Sequence, residues 1–253
     1  MSAERPDPAP ANGTAGSPVA NAVVSLDDPR AITILTTEHW SLLSARSLAY
    51  NEAFVRGGMF LTFLSMSFVA LALFSSAMSF GEDFLKVAAV LLGFDFVIGL
   101  TTYARIMGAN LDDMRAVHGM ARIRHGYTQI APVVAPYFTT ATHDDPAGVG
   151  LAYGDQPTAF PGVLFYGLTT SGGMIGLILA LVGGVEGAVL GLLLGVDDTA
   201  ALLLGIGGFL VVLGGIIAAT VGRVPGEQQR LPVLFPTPPS PEAEATAEPA
   251  ERG

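Results

Sequence analysis

The chain has 253 residues, of which 51% are hydrophobic and only 13% are charged. Soluble domains are about a quarter charged, so this composition excludes an ordinary water-soluble protein. The absence of cysteine excludes disulfides, thiolate metal sites and a cysteine nucleophile. The net charge of −10 is a poor guide to partners, because much of the acid lies in the tails, for example at Glu242, Glu244, Glu248 and Glu251.

The first part of the chain leads into an apolar block. Residues 1–31 are rich in Pro, Ala, Asn, Gly and Ser and lack the apolar core of a cleavable signal peptide, so we predict a disordered tail. Residues 32–56 are predicted to form a cytoplasmic amphipathic helix capped by Thr36 or Thr37. One face of it is indicated by residues that recur at steps of three and four: Trp40, Leu43, Ser47, Tyr50 and Phe54.

Four apolar blocks are each about 24 residues long, at residues 57–80, 84–107, 162–185 and 199–222, and all but the second lack charged residues. About 20 apolar residues in a helix cross the hydrocarbon core of a bilayer, and a helix satisfies its own backbone polar groups there. The predicted fold is therefore all-α: a polytopic membrane protein with four transmembrane helices in two hairpins, 57–107 and 161–222, and a cytoplasmic helical layer. Residues 187–196 are too few to cross, so they lie in the interface or extend a helix.

The orientation follows from the basic residues. With four crossings, eleven of the 12 Lys and Arg residues lie on one side of the membrane, and only Lys86 lies on the other. The positive-inside rule then places both termini in the cytoplasm. Residues 108–160 become a cytoplasmic helix and loop, and residues 223–253 a disordered tail rich in Pro and Glu.

Asp95 lies near the middle of the second crossing, nine residues after Lys86 and ten before Arg105. By helical rise this is about 14 to 15 Å from either end. A carboxyl group at that depth indicates a proton relay, a cation site or a pore-lining group. The alternative is a protonated, structural Asp95 that hydrogen-bonds a hydroxyl of the first helix, at Thr62, Ser65 or Ser67.

Small residues recur at intervals of four in the last two crossings, which lets helix backbones approach closely. The two sets are Gly172, Gly176, Ala180 and Gly184 in the third block, and Gly214, Ala218 and Gly222 in the fourth. They serve either packing within one chain or self-association into a homo-oligomer. A further ridge through Gly183, Gly187, Gly191 and Gly195 requires a helix that continues through Glu186, which we do not expect.

The cytoplasmic loop begins with a predicted helix over residues 109–130, which continues the second crossing and packs antiparallel to the helix at 36–56. One strip of it carries polar and basic side chains: Arg115, His118, Arg122, His125 and Gln129. Glu38 and Glu52 are expected to meet this strip, which alternatively stays solvated or holds anionic lipid headgroups. Glu38 and His39 are packing residues of a surface helix or, alternatively, a ligand or catalytic site.

Catalytic and metal signatures are weak. His118 and His125 are seven residues apart, about 10 Å along a helix, and cannot share one ion unaided. His143, Asp144 and Asp145 are adjacent, but no second cluster completes a metal shell. The sequence contains no phosphate-binding, nucleophile-elbow or dinucleotide motif. We therefore predict no enzyme, no cofactor and no nucleic-acid partner; the expected surroundings are membrane lipid.

Three stretches resemble a group of uncharacterised bacterial integral membrane proteins: LTTEHWSLLSARSLAYNEA at 35–53, RHGYTQIAPVVAPYF at 124–138 and HDD at 143–145. The resemblance covers residues 32 to 221. It implies a location in the bacterial plasma membrane and a bundle of four crossings, and it implies no activity.

Two classes of function remain. The first is a self-associating membrane module, such as a pore, an effector or a scaffold, whose cytoplasmic helices sense or bind a partner. The second is a small ion- or proton-coupled carrier that uses Asp95.

Overall fold

A computed structural model describes residues 26–78, 80–154, 159 and 161–238. This part of the chain is all-α, as predicted: its regular elements are six α-helices and one short 3-10 helix, Pro132–Tyr137. Four of the α-helices are long and apolar enough to cross a membrane. The predicted N-terminal tail up to residue 25 and the C-terminal tail after residue 238 lie outside the described residues.

The first hairpin consists of two very long helices, α1 (Ala31–Met78) and α2 (Glu82–Ile130), which pack against each other. They contain 48 and 49 residues, so each is about 70 Å long, more than twice the hydrocarbon thickness. The predicted surface helices at 32–56 and 109–130 are therefore continuous with the first two crossings. No proline interrupts either helix, which leaves the backbone hydrogen bonds intact.

The start of α1 differs from the prediction. The helix begins at Ala31, whose N–H donates to the carbonyl of Asp28 at 2.8 Å, while the Asp28 carboxylate accepts from Arg30. Thr36 and Thr37 lie inside the helix, and the Thr37 hydroxyl donates to the Thr33 carbonyl at 2.8 Å. The prediction that Thr36 or Thr37 caps the helix is wrong, because Asp28 provides an earlier start.

The third crossing is displaced along the chain. The chain forms α3 (Pro146–Leu151) in the loop and then α4 (Gly162–Thr169), and Thr170 caps a new helix, α5 (Ser171–Leu193), by accepting from the Gly173 N–H at 3.0 Å. The predicted single helix over 162–185 is therefore wrong.

The far end of α5 also differs from the prediction. The helix continues through Glu186, contrary to our expectation, and the residues after 186 extend it. Gly195 follows the helix with φ of 79°, a left-handed conformation that suits glycine.

The last helix, α6 (Asp198–Arg230), contains the predicted fourth crossing and continues beyond it. Residues 231–238 follow in a non-helical conformation and bond to the loop before α3. The prediction of a disordered tail starting at residue 223 is therefore wrong as far as residue 238.

The helices pack in the order α1, α2, α5, α6, with α2 between α1 and α5. The core between α1, α2 and α5 is formed by fully buried side chains: Phe60, Leu92, Ile106, Ile175 and Leu179. The outer helices remain open, since only 11% of the most apolar window of α1 or of α6 is buried, against 39% in α5. Apolar helices so exposed indicate that lipid, rather than water, surrounds them.

Candidate functional site

The parts of α1 and α2 beyond the apolar spans form a separate polar structure together with the loop after α2 and the end of the chain. We call it the extension layer, made of residues 31–56, 108–154 and 231–238. Its last eight residues are called the C-terminal segment, and they join α6 to α2 and to the loop.

Asp144 organises this junction. Its carboxylate is fully buried and accepts from the backbone N–H groups of Leu234 at 3.1 Å and Phe235 at 2.7 Å. Its own N–H donates to the Phe235 carbonyl at 3.1 Å. Arg122 of α2 donates to Asp144 at 2.7 Å and to the Pro232 carbonyl at 2.5 Å. One carboxylate and one guanidinium therefore bind main-chain groups of the C-terminal segment from both sides.

The charge state of Asp144 fits this role. Burial by itself raises the pKa of a carboxyl group, but here the N–H donors of Phe235 and Leu234, followed by Arg122, outweigh it. The pKa of Asp144 is therefore held below its ordinary value. The carboxylate therefore stays ionised at physiological pH, and the bonds of the junction that depend on its charge are kept.

Two further contacts fix the segment. The Phe235 ring stacks on His125 with centroids 4.0 Å apart and an interplanar angle of 22°. The Thr237 hydroxyl donates to Asp145 at 2.8 Å, and Asp145 also caps α3 by accepting from the Gly148 N–H at 3.0 Å. The residues considered as a metal cluster, His143 to Asp145, therefore serve chain docking through both carboxylates.

A second buried charge lies closer to the membrane. Asp113 of α2 is 2% exposed and pairs with Arg46 of α1, and the Tyr153 hydroxyl donates to it at 2.9 Å. Burial and the neighbouring Asp113 raise the pKa of Tyr153, so the phenol remains a donor. Sequence reasoning missed Asp113 and Tyr153. Arg46 and Asp113 are 67 residues apart, and no local pattern indicates that they pair.

The predicted contacts of Glu38 and Glu52 are corrected. Glu52 does reach α2, but its partner is Arg105 at 2.5 Å, outside the predicted basic strip; Arg56 on its own helix adds a second bond at 3.0 Å. These two guanidinium groups lower the pKa of Glu52 to about 2.

Glu38 is exposed and makes no ion pair or hydrogen bond with the described residues. In the strip itself, Arg115 bonds Asp112 of its own helix at 2.9 Å.

The two remaining histidines of the layer are neutral at pH 7. His118 is 5% exposed, and burial lowers its pKa, an effect that Asp144 partly offsets and Arg122 reinforces. His39 is half-buried, with its ring centroid 6.2 Å from that of Tyr127, and burial followed by Arg124 lowers its pKa. His39 therefore packs between α1 and α2, as the structural alternative predicts.

Asp95 is placed in the apolar part of α2 and is 2% exposed. It lies beside Ser67 of α1, and its Oδ2 atom has no hydrogen-bond partner. The other two hydroxyls considered for it are engaged in their own helix, since Thr62 donates to Gly58 and Ser65 to Leu61.

A second carboxyl group enters the apolar bundle at Glu186 of α5. Its Oε1 atom lies 3.7 Å from the position that a Cβ atom would take at Gly93 of α2, and its Oε2 atom is buried without a partner. The sequence analysis missed it because the third crossing was placed more than two turns too early, which left Glu186 at the membrane edge.

The two sets of small residues face different surroundings. Those of α5 meet neighbours in the chain: Gly172 lies against Ile106, Gly176 against Ile216, and Ala180 is fully buried. Gly184 approaches Gly205 of α6, where a Cβ atom would lie 3.0 Å from a backbone oxygen.

The α6 set faces outward. Gly214, Ala218 and Gly222 are exposed, and no heavy atom of the described chain lies within 4 Å of a Cβ position at either glycine. The glycines that α6 uses for packing on α5 are Gly205 and Gly208, which the interval-of-four pattern did not select. Helix α6 therefore carries one small-residue face toward α5 and a second that has no partner within the described chain.

Comparison with protein-family models, with curated proteins and with solved structures gave no match to this chain.

Proposed function

We propose that the protein is a self-associating module of the bacterial plasma membrane, a scaffold whose copies meet through the outward face of α6 and whose extension layer lies in the cytoplasm. The observation that carries the proposal is the exposed set Gly214, Ala218 and Gly222. The orientation rests on the distribution of Lys and Arg and on the resemblance to bacterial membrane proteins.

Glycine inside a helix is costly, which makes an outward glycine face informative. Each glycine in a helix interior costs about 1 kcal/mol relative to alanine. Gly205 and Gly208 have a reason within the chain, because any side chain there would meet α5 backbone. Gly214 and Gly222 have none. Small residues four apart typically allow two membrane helices to approach closely. Contact with α6 of a second copy therefore accounts for the outward glycines.

The extension layer suits a scaffold role because its buried carboxylates are already satisfied. Asp113 and Asp144 bind Arg46 and Arg122, tyrosine and backbone donors of the same chain. Such closed pairs hold α1, α2 and the C-terminal segment in fixed positions. A rigid layer of this kind, repeated in each copy of an oligomer, presents several identical surfaces to a cytoplasmic partner.

The test is the mass of the purified protein in detergent, measured by light scattering with the detergent contribution subtracted. The wild type is expected at a multiple of 26.1 kDa. The double variant Gly214→Leu, Ala218→Leu is expected at the protomer mass, because two bulky side chains separate the backbones. The matched control is Ile217→Phe, which adds bulk at a neighbouring exposed position about 100° around the helix. A monodisperse wild-type monomer contradicts the proposal.

The second candidate, a carrier that uses Asp95, is favoured by one observation: a carboxyl group in the apolar bundle with an oxygen atom that has no partner. In proteoliposomes, Asp95→Asn is expected to abolish ion or proton flux at unchanged expression if the protein is a carrier. A scaffold shows no such flux in the wild type, and its mass is unaffected by the substitution.

A further inference from the structure

Asp95 and Glu186 lie at nearly the same depth in the apolar bundle. Asp95 is thirteen residues from the start of α2, which is about 20 Å by helical rise. Glu186 faces Gly93, which lies about half a turn before Asp95 on α2. Asp95 lies beside α1, at Ser67, whereas Glu186 reaches α2 from α5. The two carboxyl groups therefore flank α2 near the middle of the membrane.

Neither group has a counter-charge. Asp95 Oδ2 and Glu186 Oε2 are both buried without a hydrogen-bond partner among the described residues. The basic side chains at the two ends of the α2 span are engaged elsewhere: Lys86 binds Glu82 at 2.8 Å, and Arg105 binds Glu52 at 2.5 Å. By helical rise both lie about 13 Å or more along α2 from Asp95.

An ionised carboxylate in such surroundings has lost its hydration and gained no counter-charge, and the Ser67 hydroxyl beside Asp95 offsets little of that loss. Two species can neutralise it, a proton or a metal cation. A hard cation needs about six oxygen ligands, and the described residues contain no group of three or more Asp, Glu or His side chains placed to hold one. A proton needs only the carboxyl group itself.

We infer that Asp95 and Glu186 are two proton-binding sites, each holding one proton at neutral pH, placed on the two sides of α2 in the membrane. The protonated Asp95 can donate to the Ser67 hydroxyl, and the protonated Glu186 fits the space that Gly93 leaves by lacking a side chain. Loss of the Asp95 proton places a negative charge between α2 and α1, and loss of the Glu186 proton places one between α2 and α5. The inference concerns charge state and stands whether or not copies associate.

Infrared spectroscopy of the protein in lipid at pH 7 gives the direct test. Protonated carboxylic acids show a carbonyl stretching band that carboxylates lack. Other acidic side chains in the described chain are exposed, paired with arginine or, at Asp145, bonded by hydroxyl and backbone donors, so this band belongs mainly to Asp95 and Glu186. Asp95→Asn and Glu186→Gln are each expected to remove about half of it, and the double variant all of it. A spectrum without this band overturns the inference.

A chemical probe tests the wild type without any substitution. Dicyclohexylcarbodiimide dissolves in lipid, and a protonated carboxyl group adds across it to give an acylisourea that rearranges to a stable N-acylurea. Mass spectrometry of the digested protein is expected to find this adduct at Asp95 and Glu186. Asp113 and Asp144 are the internal controls, because they are at least as buried as Asp95 and Glu186 but paired with arginine. Labelling at least tenfold above those controls supports the inference, and equal labelling at all four contradicts it.

The substitutions also have an expected structural outcome. Asparagine and glutamine imitate the protonated acids in shape and charge, so the melting temperatures of Asp95→Asn and Glu186→Gln are expected to match that of the wild type. If the groups were ionised and bound to an unseen cation, both variants would lose that ion and melt lower. Oligomer mass, measured on the same samples, separates this result from a failure of self-association.

Discussion

Buried acidic side chains have ion-pair partners in the extension layer but not in the apolar bundle of α1, α2 and α5. In the layer, Asp113 and Asp144 are as buried as Asp95, yet each binds an arginine and at least one further donor. In the bundle, Asp95 and Glu186 leave an oxygen atom without any partner. The layer thus uses ion pairs to fix its architecture, whereas the bundle contains isolated acids.

Packing differs in the same way. The bundle is held by glycine contacts, such as Gly183 against Gly208 and Gly184 against Gly205, where a side chain would meet backbone. The layer has its own small apolar cluster around Val117, Met120 and Val149. Apolar burial drives little association in lipid, so close backbone contact replaces it there, while the layer depends on polar bonds. Substitutions of the two kinds should therefore act in only one region each.

The largest effect is expected for Asp144→Ala in the layer. Removing one partner of a buried pair leaves Arg122 without its carboxylate acceptor, which typically costs about 3–5 kcal/mol, and the backbone N–H groups of Leu234 and Phe235 lose the same acceptor. Thermal melting and amide exchange of residues 231–238 measure both consequences. The control Asp112→Ala breaks an exposed pair and is expected to cost at most about 1 kcal/mol. Equal losses in the two variants would contradict the assignment.

In the bundle, Gly208→Ala is expected to destabilise by about 1–3 kcal/mol, because its Cβ atom would lie 2.8 Å from the Gly183 carbonyl oxygen. Gly215→Ala, outside the proposed self-association set, is the matched control on the same helix. It meets nothing in the chain and is expected to keep or raise the melting temperature through helix propensity. If both alanines melt alike, α5 and α6 are not as close as described.

The layer is also expected to lose stability in mild acid. Burial lowers the pKa of His118 in the folded protein, so below the ordinary value of 6.5 the unfolded chain binds a proton that the folded chain does not. The free energy of unfolding therefore falls as the pH decreases from 6.5 toward the folded pKa. The groups facing His118 are the Asp144 carboxylate, which lessens the effect, and Arg122, which increases it.

Melting temperatures at pH 7.5 and 5.5 measure this dependence. His118→Gln removes the titrating group, and its melting temperature is expected to change less between the two values. A residual slope from His39, whose pKa is also lowered by burial, remains in both proteins. An identical slope in wild type and His118→Gln would show that His118 does not contribute.

The smallest effect is expected for Thr237→Val. The variant loses an exposed hydroxyl bond of 2.8 Å to Asp145, worth about 0.5–1.5 kcal/mol, while the backbone bonds to Asp144 remain. Faster amide exchange is expected in the C-terminal segment alone. Thr101→Val, whose hydroxyl bonds its own helix, is the control and should leave that exchange unchanged.

The elements that the sequence predicted correctly depend on composition and period. Long apolar blocks predicted the all-α fold with two hairpins, and continuous helical patterns predicted the antiparallel extensions of α1 and α2. These signals are local. The start of the third crossing was placed wrongly because a single hydroxyl cap at Thr170 decides where α5 begins, and hydrophobicity is uniform across that position.

The candidate sites depend on contacts between distant parts of the chain, which a single sequence does not reveal. Asp144 and Phe235 are 91 residues apart, and nothing in a proline-rich tail indicates which residues dock. Asp95 was recognisable because a charge interrupts its apolar block. Glu186 was not, since it lay at the edge of the predicted block. The outward orientation of Gly214 became visible only when α5 was in place.

The central claim is that the outward face of α6 joins copies, and single cysteines test it most directly in the native membrane. The chain contains no cysteine of its own, so Ala218→Cys introduces the only thiol. Under mild oxidation this variant is expected to form a covalent dimer, whereas Ile217→Cys, at the same depth about 100° around the helix, is expected to stay monomeric. Dimers that form equally at both positions, or at neither, contradict the account.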